Sequence, residues 1–273
     1  MKKLLIVTDL DASFIDDNYQ YSEATEAIRQ LKAQGYPLVF NSSKTLLEIQ
    51  SLAQELELTT PLIAENGGIV AVPEMSEVAN YCEAEGWQHE GGYHTLITGL
   101  SLGYILKHAH TARTENDYLF SGFSDMTEQE ISSITGLTQT EAYLAKQRHV
   151  SEPILWQDSD QRWEQFSSFL HSKGIRTLRG GRFIHLMGPA DKADGLNVTH
   201  QLYQQCYPEI KWTTVALGDS ANDQSMLEDA DIAIAIPHPD GFHIETKSKH
   251  IIQAQYPASR GWNDSILKLL STT

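Results

Sequence analysis

The chain is poor in cysteine, in basic charge and in long apolar stretches, and each shortage excludes something. Only Cys82 and Cys206 occur, far apart and without a Cys-x-x-Cys, so neither a disulfide framework nor a thiolate metal site is indicated, and the cytoplasm is the default compartment. No run approaches the roughly 20 residues needed to span a bilayer. The start Met1-Lys2-Lys3-Leu4-Leu5-Ile6-Val7 mimics a secretory leader, but Thr8 and Asp9 interrupt it too early, and it reads as a first core strand. Lys and Arg number 20 against 36 Asp and Glu, a net charge of -16. That excess repels polyanions and argues against nucleic acid or an anionic membrane as partner. Tandem repeats and low-complexity tracts are also missing.

What is present is an ordinary globular composition, 41% apolar and 21% charged over 273 residues, enough for one large domain or two modest ones. Apolar strands alternate with helical patterns: a strand at 4–8, a helix from Ser22 (as cap) to Ala33, stopped at Gly35, a strand at 37–40, a helix at 45–56 and a strand at 62–64. Such alternation calls for a parallel sheet with right-handed crossovers. After Glu65-Asn66-Gly67-Gly68 the pattern changes to short strands mixed with helices, ending in strands at 176–178 and 183–187. The first pattern then resumes with a helix at 192–205, strands at 213–217 and 232–236, and a helix at 222–229. This predicts a core of residues 1–83 and 188–273 interrupted by an α+β insert at 84–187.

Asp9 and Asp11 stand two residues apart just beyond the first strand, where open α/β sheets build their sites. An ionised aspartate there can attack phosphorus, and its neighbour can serve as general acid and then base. Mutual repulsion raises one pKa of such a pair and suits that division. An EF-hand reading of Asp9, Asp11 and Ser13 fails, because Phe14 stands where glycine is required and Gln20 where glutamate is. Alone, the pair is as well explained by a polar turn. It gains weight from three partners in order: Asn41-Ser42-Ser43-Lys44-Thr45 after the second strand, Lys192 opening a helix, and Gly218-Asp219-Ser220-Ala221-Asn222-Asp223 after a third strand. Ser42 is expected to donate to a phosphoryl oxygen, and Lys192 to balance its charge and orient Asp9. Converging carboxylates need a cation. Oxygen-only donors select a hard ion, which predicts Mg²⁺, with Asp9, Asp219 and the Asp11 carbonyl as ligands and Asp223 as a ligand or just behind one.

These four motifs resemble those of the haloacid dehalogenase superfamily of phosphohydrolases. The resemblance implies a Rossmann-like α/β core and an α/β cap formed by the insert. The family pattern continues Gly-Thr after the second Asp, whereas Ala12-Ser13 stands here. Within the superfamily the chain is most similar to the mannosyl-3-phosphoglycerate phosphatases, through Ser42-Ser43-Lys44-Thr45, Glu65-Asn66-Gly67-Gly68, Ser151-Glu152-Pro153-Ile154-Leu155-Trp156 and Gly180-Gly181-Arg182-Phe183-Ile184-His185-Leu186. That implies a phosphorylated sugar substrate carrying a carboxylate, or a near relative such as the glucosyl ester. Arg182 would clamp the carboxylate, with Gly180 and Gly181 permitting close backbone approach. Ser43, Lys44 and Arg148 are further contacts, and Glu152 and His185 candidates for sugar hydroxyls. Two rival readings remain from other classes: a serine esterase built on Gly99-Leu100-Ser101-Leu102-Gly103, and an anion-binding module whose site is retired.

Overall fold

The computed structural model describes residues 2–180, 182–244 and 251–272. Strand β1 (Lys2–Thr8) is buried from Leu4 onward, as a strand covered on both faces must be. Helix α1 (Thr25–Gln34) carries the chain to β2 (Leu38–Asn41), and α2 (Leu46–Glu55) carries it to β3 (Leu62–Ala64). Gly35 ends α1 at a left-handed φ of 65°, as its position suggests. Ser22 does not cap that helix. Ser22–Ala24 form a short 3-10 turn instead, and the Ser22 carbonyl accepts from the Thr25 hydroxyl at 2.7 Å.

Beyond β3 the chain reverses into β4 (Ile69–Pro73), antiparallel to it. Helix α3 (Ala79–Ala84) follows, then β5 (Gln88–Glu90) and β6 (Tyr93–Ile97). Strand β6 pairs along β4 and β5 pairs with β6, so residues 88–97 extend the large sheet. The boundary expected near 83 therefore falls inside that sheet, because the free edge of β4 is satisfied by residues that the sequence pattern placed in the insert.

Helix α4 (Leu102–Asn116) opens a second unit, which continues through β7 (Phe120–Gly122), α5 (Glu128–Thr135), α6 (Gln139–Lys146), β8 (Ser151–Trp156), α7 (Asp160–Ser172), β9 (Arg176–Arg179) and β10 (Ile184–Met187). Its antiparallel sheet has the order β7-β8-β10-β9. Ile105, Phe120, Ile154, Phe166, Ile184 and Leu186 make its core on the face covered by α4 and α7.

The chain then returns through α8 (Lys192–Cys206), β11 (Lys211–Gly218), α9 (Gln224–Asp229), β12 (Ile232–Ala235), β13 (Ile251–Gln253) and α10 (Ala258–Leu270). The large sheet runs β13-β12-β11-β1-β2-β3-β4-β6-β5, parallel from β13 to β3. One side buries Ile6, Phe14, Phe40 and Trp262, the other Leu5, Val39, Leu196 and Met226. The architecture is an α/β Rossmann-like core carrying an α+β cap. Among the described residues no helix is long and apolar enough to cross a membrane.

Candidate active site

Strands β1 and β11 are in register through Thr8 and Leu217, so the residues that leave them emerge side by side. Asp9 N–H donates to the Leu217 carbonyl at 2.9 Å. The Thr8 hydroxyl donates to the Asp9 carbonyl at 2.8 Å and accepts from the buried Trp262 indole at 3.0 Å, which ties the turn to α10. Strand β2 ends one position before Ser42, whose N–H donates to Ile63 O at 3.0 Å. Lys192 is the first residue of α8, held behind an Asp191 cap, and its carbonyl accepts from Asn41 Nδ2 at 2.8 Å. Three strand ends and one helix start thus converge on one edge.

The side chains of Asp9, Asp219 and Asp223 are all buried, and each offers an oxygen within 4.8 Å of the others. Lys192 Nζ, fully buried, lies 2.5 Å from Asp9 Oδ1 and also bonds Asp223 Oδ1. The second Asp223 oxygen accepts from the Asp219 and Ser220 amides, at 3.0 Å each. Asp219 accepts from the Ser13 hydroxyl at 2.7 Å, and His238 Nε2 sits 2.7 Å from its other oxygen. Burial first, then the charges of Asp223, Asp219 and Asp11, drive the Asp9 pKa well above the carboxylate range, against the pull of Lys192. Burial and Asp223 likewise raise Asp219. Burial alone would lower Lys192, but Asp223 and Asp9 more than reverse that. One buried ammonium against three buried carboxylates leaves a deficit of positive charge that a hard divalent cation with oxygen ligands would fill. Asp223 is held by the Lys192 ammonium and two backbone amides, whereas among the described residues Asp219 is held only by side chains, which suits Asp223 to stand behind the ligands.

Asp11 projects outward, its side chain about half exposed (47%), and lies 3.1 Å from Lys44 Nζ. Lys44 in turn sits 5.0 Å from the Tyr19 ring centre. Ala12 has a φ of 59°, a left-handed conformation that glycine adopts without strain. Removing about 1–2 kcal/mol of strain against roughly 0.5–1 kcal/mol of added chain entropy, Ala12→Gly should stabilise the fold slightly and keep activity. Calorimetry would read that as a small rise in Tm, and a fall would assign the Ala12 methyl a packing role.

The remaining candidates divide. Arg148 reaches the Ser42–Lys44 loop, donating to Ser43 O at 3.3 Å and to Ser151 Oγ at 2.9 Å. Glu152 is buried, with Oε1 accepting from the Ser124 amide at 2.9 Å and hydroxyl at 2.6 Å. It closes a turn of the cap, and burial lifts its pKa. Leu186 and Ile184 face the cap core, so His185 takes the opposite face of β10. Burial and then Arg148 push its pKa down to about 3, and its Nδ1 has no partner among the described residues. Arg182 is exposed between β9 and β10, and among the described residues it takes no part in the bonds that hold the site. Gly181 lies outside the described residues. Ser101 caps α4, accepting from the Tyr104 amide at 3.3 Å, which accounts for it without an esterase role.

The structure adds residues that the motifs did not single out. His238 follows β12 at the same sheet edge, and a histidine just past a core strand is the signal that could have found it. Asn222 Nδ2 donates to Asn66 Oδ1 at 3.1 Å. A cavity of about 280 Å³ beside Lys192 is walled by Asn66, Asn222, Arg176 and Leu178, the last two from the cap.

Residues 6–239 match the family described as haloacid dehalogenase-like hydrolase. The chain is 32% identical over 271 residues to a protein of Persephonella marina named glucosyl-3-phosphoglycerate/mannosyl-3-phosphoglycerate phosphatase, covering 98% of this chain and 97% of that one. A protein of the same name from Methanococcoides burtonii is 33% identical over 280 residues, with the same coverage. Among solved structures, a haloacid dehalogenase-like hydrolase from Bacteroides thetaiotaomicron superposes with a TM-score of 0.65 at 20% identity, over 98% of this chain and 100% of that one.

Proposed function

Since the chain belongs to the haloacid dehalogenase-like hydrolases, we propose that it is a Mg²⁺-dependent phosphatase acting on a glycosyl-3-phosphoglycerate, mannosyl or glucosyl, through an aspartyl phosphate. The observation that carries the chemistry is the buried cluster of Asp9, Lys192, Asp219 and Asp223 at one sheet edge. The substrate class rests on the two relatives' names, with 97% of each covered.

In this reading Asp9 attacks phosphorus in line. Its oxygen–phosphorus bond forms as the ester bond breaks, and Asp11 gives its proton to the departing 3-oxygen of the glycosylated glycerate. Water then attacks the aspartyl phosphate, Asp11 takes up the water proton, and phosphate leaves with Asp9 restored. Lys192 holds Asp9 Oδ1, and Ser42 and Lys192 steady the phosphoryl oxygens. Mg²⁺, when bound by Asp9, Asp219 and the Asp11 carbonyl, supplies positive charge against the transferring group.

For the leaving group, Lys44 and Arg148 are the cations beside the Ser42–Ser43 loop. They replace exposed Arg182 as the contacts we assign to the substrate carboxylate. Asn66, Asn222 and Arg176 line space for hydroxyls. We place the cap at residues 98–189, and the enzyme in the cytoplasm, where its two unpaired thiols stay reduced.

Phosphate release measured across mannosyl- and glucosyl-3-phosphoglycerate, other sugar phosphates and p-nitrophenyl phosphate tests the reading. The glycosyl phosphoglycerates should have the highest kcat/KM, and a preference for a sugar phosphate without a carboxylate would overturn it. Losing a charged contact costs roughly 2–5 kcal/mol, and a decade of rate is about 1.4 kcal/mol. Lys44→Gln should therefore cut kcat/KM for the glycosyl phosphoglycerate by at least about tenfold and spare p-nitrophenyl phosphate. An equal fall for both would make Lys44 a general phosphate contact.

A further inference from the structure

In the Glu65–Gly68 turn between β3 and β4, Asn66 lines the substrate space, while Glu65 has no part in the chemistry above, yet the backbone of the turn is unusual. Glu65, Asn66 and Gly67 follow one another at φ values of 50°, 57° and 85°, all left-handed. A glutamate holds that conformation only where its surroundings fix it. Here they do. The Glu65 amide donates to Lys44 O and the Asn66 amide to Ser42 O, each at 2.9 Å, so the turn is bonded to the loop that bears both side chains.

The Glu65 side chain is fully buried and points to the cap. Its Oε1 accepts from the His149 amide at 2.7 Å, and its Oε2 from the Val150 amide at 3.1 Å and the Ser151 hydroxyl at 2.6 Å. Burial works against its charge, but the bonds from His149 and Ser151 and the nearby Arg148 hold its pKa below the usual range. The carboxylate is thus ionised and serves three donors on three consecutive cap residues. Val150 also closes on Gly68, where a Cβ would lie 2.5 Å from its methyl. Gly67 packs on the backbone before Lys192, with a Cβ there falling 1.8 Å from Asp191 O.

From this juxtaposition we infer that Glu65 is a positioning residue, clamping cap residues 149–151 to the Ser42–Lys44 loop so that the cap is seated over the phosphoryl site. The inference rests on the reading that the leaving group lies between cap and core. Glutamine has the same shape but one acceptor oxygen, and its NH₂ would confront the donors. Glu65→Gln therefore releases the clamp while keeping the packing.

The test compares wild type, Glu65→Gln and Ser151→Ala by two measurements on the full chain. In hydrogen exchange, the His149 and Val150 amides should exchange at least about tenfold faster in Glu65→Gln, with amides of β1 and β11 unchanged. In kinetics, KM for the glycosyl phosphoglycerate should rise at least about tenfold, while kcat/KM for p-nitrophenyl phosphate stays within about threefold. Ser151→Ala should shift both in the same direction by less, and carries the test if Glu65→Gln does not fold. Unchanged exchange at 149–150, an equal loss for the two substrates, or no loss for either overturns the inference. If the wild type does not hydrolyse glycosyl phosphoglycerates, the substrate reading fails, and exchange alone decides the role of Glu65.

Discussion

Asp9→Asn should remove at least about a thousandfold of the turnover on every phosphate ester, because the amide keeps the shape of the side chain and loses the nucleophile. The loss should not come from unfolding. Asp9 lies buried among Asp219, Asp223 and Asp11, whose charges disfavour its ionisation, so neutralising it relieves repulsion. Lys192 retains Asp223 as a partner. The variant should therefore melt at or above the wild-type temperature without added metal, and should gain less from Mg²⁺. Asp11→Asn, on a half-exposed side chain, should slow both half-reactions without changing Tm. Near-normal turnover by Asp9→Asn would end the covalent mechanism.

Lys192→Met should have the largest effect on stability of any single change at the site. Its ammonium is the only cation bonded to Asp9 and Asp223 among the described residues, and removal strands two buried carboxylates. Breaking a buried pair from one side costs about 3–5 kcal/mol. In a chain of this size that lowers Tm on the order of 10 °C. Mg²⁺ binds the folded state alone, so it should recover part of the loss in proportion to its concentration. Thermal denaturation across a Mg²⁺ series, with an EDTA control, reads both effects. A Tm unmoved by the mutation would mean that the carboxylates are already neutral in pairs, and a Tm unmoved by EDTA would remove the metal from the account.

The sequence revealed what depends on local pattern. Val7, Val39 and Ala216 lie in apolar runs buried on both faces, and sites in parallel sheets collect at strand ends, so Asp9, Ser42 and Asp219 could be placed before any contact was known. Strand β5 could not be found this way, since Gln88, His89 and Glu90 are all exposed and have no apolar period. Residues 88–97, which the change of pattern assigned to the insert, pair into the large sheet instead. Helix α10 escaped although Trp262 and Ile266 give it a buried face, because its chain region carries no motif. Arg182 drew attention through its Gly-Gly neighbours, but a glycine pair between strands serves a turn equally well. Glu65 illustrates the opposite limit: its motif was visible, while its partners lie 84 to 86 residues away and exist only after the cap docks.

In the proposed mechanism the phosphoryl group passes through Asp9. Rapid acid quench of a single turnover of p-nitrophenyl phosphate with Mg²⁺, followed by peptide mass mapping, tests it without depending on the natural sugar. A transient phosphoryl adduct should appear on the peptide holding Asp9, longer-lived in Asp11→Asn and missing from Asp9→Asn. Phosphate released at the wild-type rate with no adduct at any quench time, or with the adduct on another residue, would contradict it.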